Sequence, residues 1–403
     1  MQVLISGASI AGPVLAYWLT RSGFDVTVVE RAPTLRKTGG HAVDLFRPSM
    51  EISSKMGVLP RIEARATGTT RMTINRAGAK PARVDLTKLY RAASDRHVEI
   101  MRDDLSEIYY DAGRDEVEYL FADSITGISP DGEVTFERAT PRKFDVVVGA
   151  DGLHSNVRQL VFGGEAGRTR FLGAHLAVAS IPKMLAPEGE MVCELTPGRL
   201  APVYSAQHLD DARLLFLFHS PELKCGHRDV LRQKEILRDT FTDMTAQVDG
   251  WLTQLDDTPA FYFDAITQLQ SDTWSRGRVT LVGDAGYCPG PAVGGSTSLA
   301  VVGAYVLAGE MARAGGDHPA AFAAYEAQMR EPVHRSRVFA RAAAKTVVPG
   351  SPAAVWAMTR AVQLVSLLPA SLTTAVAKLN TKGIRMYDSM RVPDYTSSVL
   401  GEH

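Results

Sequence analysis

The residue types best suited to chemistry sit at the start of the chain, in Gly7-Ala8-Ser9-Ile10-Ala11-Gly12. This stretch follows an apolar run at residues 2–6 and leads into apolar residues at helical spacing, Ile10, Val14, Leu15, Trp18 and Leu19. Gly7 permits a tight turn, Gly12 lets helix and strand pack closely, and the helix N-terminus presents unpaired N–H groups to a pyrophosphate. Ser9 stands where the pattern has its middle glycine; it adds a Cβ near the phosphates but offers a hydroxyl donor. A second apolar run, residues 25–30, ends in Glu30. An acid there accepts both hydroxyls of an adenosine ribose and favours a ribose without a 2′-phosphate. Strand, turn, helix, strand and terminal acid together predict dinucleotide binding, with Arg31 beside the acid in the candidate set. No second G-x-G-x-x-G follows, so this device holds one nucleotide only.

Two later stretches repeat the pattern of a buried strand ending in a polar turn. In residues 145–158, DVVVGADGLHSNVR, the strand ends at Gly149 and Asp151-Gly152 turns the chain before Asn156 and Arg158. In residues 276–299 a strand ends at Gly283-Asp284, and a Gly/Pro-rich loop runs into a helix starting near Gly295-Ser296. Asp284 is placed to bind a ribityl hydroxyl. The helix start aims its positive end at any ligand there, and in reduced flavin the negative charge sits at the N1/C2=O edge that such an end stabilises.

In this order and context the three motifs resemble the single-component (group A) aromatic hydroxylases among FAD-dependent monooxygenases, whose relatives include para-hydroxybenzoate hydroxylase and the tetracycline-inactivating monooxygenases. The resemblance covers the whole layout and is specific in the three motif regions. It implies FAD as cofactor, NADPH or NADH as transient reductant and O2 as co-substrate. The reaction implied is hydroxylation of an electron-rich aromatic or polyketide-like small molecule through a flavin hydroperoxide. By the same resemblance Gly7 to Gly12 hold the pyrophosphate and Glu30 the ribose, while Arg102, in the run MRDDL, contacts FAD from a helix start. Arg36 lies near the flavin in a mobile loop, and Asp151 is tied to FAD and to transient NAD(P)H binding. Asp284 binds the ribityl chain, and Pro291, Gly294, Gly295 and Ser296 flank the isoalloxazine. The chain departs from its relatives at Ser9 and after the Gly-Asp pair, where Ala285-Gly286-Tyr287 replaces Ala-Ala-His.

The elements that must position these residues are predicted as an α/β fold. A Rossmann-like FAD-binding domain is built from residues 1–69, 91–165 and 266–345. A mostly antiparallel β-sheet substrate domain, residues 166–265 with strands from 70–90, is inserted into it, and residues 346–403 form a helical C-terminus. Residues 31–50, rich in Gly, Pro and basic residues, read as a loop, and Asp103-Asp104 as the N-terminal cap of the next helix. Phe216 and Phe218 share one face of a strand and fit either a wall of the substrate pocket or ordinary core packing. Residues 346–377 carry only Arg360 as charge, but Val355, Met358, Val362 and Val365 keep the spacing of a helix with one buried face, so a buried helix is expected rather than stable membrane insertion.

Composition narrows the function. A formal charge of −1 gives no pull toward nucleic acid. The ten histidines are scattered and no metal site is expected. Cys193, Cys225 and Cys288 form no C-x-x-C pair, which fits a reducing cytoplasm. The expected partner is a small-molecule substrate, bound by a monomer or homodimer. Two other readings stand beside the hydroxylase: a ring-expanding (Baeyer-Villiger-type) flavin oxygenase, and a flavin-binding redox module without turnover.

Overall fold

The computed structural model describes residues 1–35, 39–88, 96–163, 168–223, 225–226, 229–291, 295–367 and 382–395. Val3, Leu4 and Ile5 are buried on both faces of the strand Gln2–Ser6, as a central parallel strand requires. That strand pairs in parallel with Asp25–Glu30 on one side and Val146–Gly149 on the other. The full order is Ser275–Arg276, Val279–Leu281, Val146–Gly149, Gln2–Ser6, Asp25–Glu30, Glu118–Phe121, parallel except at the Ser275–Arg276 edge. The chain leaves Gln2–Ser6 through the helix Ala11–Arg21 toward one side, while Val146–Gly149 returns on the other. This reversal opens a crevice at the strands' C-terminal ends, where all three motifs begin.

The second sheet has seven strands in the order Phe261–Leu269, Thr169–Pro182, Asp211–His219, Arg199–Tyr204, Glu190–Thr196, Arg71–Asn75, Ala82–Asp85. Only the pairing of Glu190–Thr196 with Arg71–Asn75 is parallel. Alternation gives it two faces. Ala177, Ala179, Leu214, Phe216 and Phe218 pack under the helices Val230–Phe241 and Ala246–Leu252, which supply Leu237, Phe241, Val248 and Trp251. Ala174, Leu176, Val178 and Leu217 face the long helix His318–Thr346 through Ala340 and Ala344.

Two local expectations are corrected. Residues 31–50 are not all loop: Ala42–Phe46 is a strand paired antiparallel with His97–Met101, and the helix Arg47–Lys55 follows it. Burial of Val43, Leu45 and Phe46 drives it, a short alternation hidden among polar neighbours. Asp103 and Asp104 do not cap their helix. Met101 is the cap position and Arg102 the first helical residue, with no side-chain cap, so both acids sit in the first turn where the helix dipole favours them. Asp103 instead accepts a hydrogen bond from the Gly40 N–H at 2.7 Å.

The C-terminal segment contributes the helix Pro352–Leu367. Val355 is buried, with Met358 and Val362 partly buried, against Ile74, Ala82, Cys193 and Leu195 of the seven-stranded sheet. Trp356 and Leu364 on the other side are exposed. Among the described residues no helix is long and apolar enough to cross a membrane.

Candidate functional site

The first motif is built as tightly as its glycines suggest. Gly7 adopts φ +110°, and a Cβ there would lie 2.6 Å from the Ala150 carbonyl oxygen. A Cβ on Gly12 would lie 1.9 Å from the Gly7 oxygen, so both positions exclude a side chain. The helix behind them has no side-chain cap at Ile10 and no acid in its first turn, which leaves its N-terminal amides to a ligand. Glu30 points back at this loop: Oε2 accepts from the Ala8 N–H at 2.9 Å and Oε1 from Ala32 N–H at 2.8 Å. Each oxygen keeps acceptor capacity for a ribose hydroxyl. Arg31, next in the chain, is exposed.

Arg102 explains the unusual Ser9. Its Nη2 donates to Ser9 Oγ at 3.3 Å, and Ser106, one turn on, donates to the Ser9 carbonyl at 3.1 Å. The hydroxyl where the pattern has its middle glycine thus tethers the arginine to the Gly7–Gly12 loop. Arg102 makes no ion pair with a described residue, and its charge reaches His41, Tyr262 and Asp284. It adds to the burial that pushes His41 down to about 4. It also opposes the burial that raises Asp284.

Asp284 opens a one-turn helix, Asp284–Tyr287. Before it Gly283 is left-handed at φ +65°, and a Cβ there would sit 3.3 Å from the Ala11 Cβ, so the third motif abuts the first. Gly295, also left-handed, begins the helix Ser296–Arg313 with no side-chain cap and no acid in its first turn. Ser298 Oγ accepts from the Phe46 N–H at 3.0 Å and shares a hydrogen bond with Ser49 at 2.9 Å, fixing this helix start against Ala42–Phe46. Pro291 lies half-buried in the loop between, whereas Gly294 and Arg36 fall outside the described residues.

Asp151 sits at the same convergence, its Cα 3.0 Å from where a Gly7 Cβ would be. Its carboxylate, however, is taken up internally. It accepts from Ser155 Oγ at 2.5 Å and from the Asn156 and Val157 N–H groups at 2.8 and 3.1 Å, with Ser6 Oγ at 3.4 Å. It therefore anchors the helix Asn156–Phe162 to the crevice. Arg158, buried on that helix, donates to the Ala285 carbonyl at 2.8 Å and so ties the second motif to the third.

Phe216 and Phe218 do not reach the crevice. They lie on the sheet face covered by Val230–Phe241, with Phe216 4.7 Å from the Phe241 ring centre, because strand alternation sends them opposite to Arg213. Of the two alternatives open in sequence, core packing is the one observed. The opposite face supplies residues the sequence reading missed. Fully buried Arg213 donates from Nε to the Gly40 carbonyl at 2.9 Å, and Tyr204 Oη accepts from the Ala42 N–H at 2.8 Å. Both pin residues 40–42 against the sheet. A lone arginine within the apolar run ARLLFLF was the available signal.

These features fit an adenine-linked flavin. Two glycine backbones admit no side chain, two uncapped helix N-termini and a guanidinium with no ion pair among the described residues answer phosphate and ring charge, and Glu30 and Asp284 offer acceptors for two sets of hydroxyls. Among the described residues no group of His, Cys, Asp and Glu could hold a metal ion.

Comparison with known proteins agrees. A family model described as "FAD binding domain" matches residues 1–338. An uncharacterized protein of Mycobacterium tuberculosis is 41% identical over 345 residues, covering 83% of this chain and 91% of its own. A "Flavin-dependent monooxygenase" of Legionella longbeachae is 35% identical over 343 residues, covering 84% and 87%. Among solved structures, the tetracycline destructase Tet(55) superposes with a TM-score of 0.83 at 31% identity, covering 98% of each chain. Klebsiella pneumoniae HpxO with FAD and uric acid shares the fold, with a TM-score of 0.73 at 23% identity over 96% of this chain and 97% of its own.

Proposed function

The chain belongs to the FAD-binding-domain family of flavin-dependent monooxygenases, and from that premise we propose that it uses NAD(P)H and O2 to hydroxylate an electron-rich aromatic or polyketide-like small molecule. The balance is substrate–H, O2, NAD(P)H and a proton going to substrate–OH, water and NAD(P)+. Bound FAD supplies the hydride acceptance and oxygen activation. The observation that carries the reading is the convergence on Arg102: an arginine with no ion pair among the described residues, tethered to Ser9 of one motif, with its charge felt by Asp284 of another.

The chain's own residues do the rest. The amides before Ala11 and the Arg102 guanidinium bind the phosphates, and Glu30 orients the ribose. Asp284 accepts a ribityl hydroxyl. The N-terminus of Ser296–Arg313 stabilises negative charge on the ring edge, a fixed dipole that needs no reorganisation. The substrate lies between that helix start and the sheet face of Arg213 and Leu215. Arg213 and Tyr204 hold residues 40–42 closed over it and keep water out. Catalysis in a reducing cytoplasm accords with three free thiols.

The test is direct. The purified protein is assayed for a yellow flavin spectrum, then for NADPH and NADH oxidation with a panel of phenols and tetracyclines, with product mass read for one added oxygen atom. FAD-loaded protein whose nicotinamide oxidation no panel member accelerates overturns the hydroxylase reading.

A further inference from the structure

The proposed reaction needs a reduced nicotinamide dinucleotide, yet the chain carries a single phosphate loop, and the structure offers a second place for phosphates. A groove of about 770 Å³ opens between the start of the strand Thr169–Pro182 and the C-terminal half of the helix His318–Thr346. That volume lies within the roughly 300–1,000 Å³ typical of small-molecule and cofactor sites. Arg170, Arg341 and Lys345 line it together with the half-buried ring of Phe171, and among the described residues no acid does. None of the three cations forms an ion pair with a described residue. Arg337, one turn before Arg341, is held below the usual arginine range by burial, and the Arg341 charge adds to that effect against Asp272. Among the described residues, the groove lining itself therefore gathers three positive charges and no negative one.

Its walls are stitched to the flavin crevice. Arg170 lies opposite Gln268 in the register of strands Thr169–Pro182 and Phe261–Leu269, so their side chains share a face. The Gln268 amide, fully buried, donates to the Pro289 carbonyl and to the Arg337 carbonyl, each at 2.9 Å. Pro289 belongs to the loop that leads from Asp284 to the helix start at Gly295. One buried side chain thus separates the basic groove from the loop assigned to the flavin ring.

We propose that this groove binds the phosphates of NADPH, with Phe171 offering a ring face to the adenine. Three cations with no ion pair among the described residues exceed what the pyrophosphate alone requires, so the groove favours the dinucleotide with a 2′-phosphate over NADH. The assignment rests on the monooxygenase reading only for the need of a reductant.

The experiment measures NADP+ binding to the FAD-loaded protein by calorimetry at low ionic strength, in wild type, in R341Q/K345Q and in R170Q. The expected result is saturable binding by wild type, weakened roughly ten-fold or more in R341Q/K345Q, with a smaller change for NAD+ and a steep dependence on salt. Flavin content and melting temperature report whether each variant folds; K345E, a charge reversal at an exposed position, carries the test should the double variant not fold. Wild type that binds no NADP+, or a folded variant that binds it as tightly as wild type, overturns the proposal. Dithionite-reduced enzyme mixed with O2 and substrate reports the oxygenase reaction separately. Loss there with NADP+ binding intact sinks the monooxygenase reading and leaves the groove.

Discussion

Replacing Arg102 by glutamine tests the convergence of the motifs most sharply. The side chain is half-buried, makes one hydrogen bond, to Ser9 Oγ at 3.3 Å, and forms no ion pair with a described residue. Removing it breaks no ion pair among the described residues, and Asp284, the buried carboxylate whose charge it offsets, answers by taking up a proton more readily, so the fold keeps most of its stability. What it removes is a charge-assisted hydrogen bond to phosphate, worth about 1.5–3 kcal/mol. At about 1.36 kcal/mol per ten-fold change, that corresponds to roughly a 10- to 150-fold rise in the FAD Kd. The electrostatics shift in the same direction. Arg102 lowers the Asp284 pKa against burial, so R102Q raises it further and weakens Asp284 as an acceptor. The assay strips the flavin and titrates FAD back, following quenching of flavin fluorescence, with thermal melting of the apoprotein as control. R102K, which keeps the charge but not the planar fork, falls between wild type and R102Q. An R102Q protein that binds FAD within two-fold of wild type at unchanged melting temperature refutes the assignment of Arg102 to the phosphates.

Other outcomes follow from the same geometry. Gly12→Ala forces a Cβ to 1.9 Å from the Gly7 oxygen, so the protein purifies without flavin while its far-UV circular dichroism stays near wild type. Gly303→Ala places a Cβ 1.9 Å from Tyr287 Oη, costing roughly 1–3 kcal/mol; Tyr287→Phe removes that oxygen, so the pair destabilises less than the sum of the two in a double-mutant cycle by urea unfolding. Phe218→Ala loses roughly 3–5 kcal/mol of stability but leaves the FAD Kd unchanged, since the ring packs on the far sheet face. Buried His175, at about 4 against 6.5 unfolded, stays neutral in the fold while the unfolded chain takes up a proton below pH 6.5. Its contribution is therefore to lower stability as pH falls from 6.5 toward 4, by about 2 kcal/mol at pH 5. His175→Phe, measured by urea midpoints at pH 7.5 and 5, loses less across that interval than wild type.

The sequence was most legible where the backbone itself carries the signal. Gly7, Gly12, Glu30 and Asp284 stand where turn geometry and the ends of buried strands require them, and periodic apolar runs marked the strands and helices that position them. Side-chain partnership was harder to read. Asp151 occupies a motif position, but its four donors come from Ser6, Ser155, Asn156 and Val157, a local arrangement that spacing does not reveal. Arg213 and Tyr204 act through contacts with residues 40–42, far away in sequence, and their role depends on which sheet face meets the crevice. Phe216 and Phe218 show the same limit: alternation says that they share a face, not which face.

The two departures from the family pattern bear on whether this protein turns over or merely holds flavin. Each would argue for a decayed site if it left a gap or a clash. Neither does. The Ser9 hydroxyl is the acceptor that steadies Arg102 over the loop, so the extra Cβ comes with a cation held in place. Tyr287 turns away from the crevice into the core. Its ring packs edge-on against Trp274 at 4.9 Å, and its oxygen accepts from Tyr325 at 3.1 Å. The space for that oxygen exists because position 303, across on the helix Ser296–Arg313, is glycine. A tyrosine accommodated by a distant glycine and a serine matched to a distant arginine are each a pair of mutually fitted residues. They preserve the shape of the crevice rather than erode it, and they remove the sequence features that favoured a redox module without turnover.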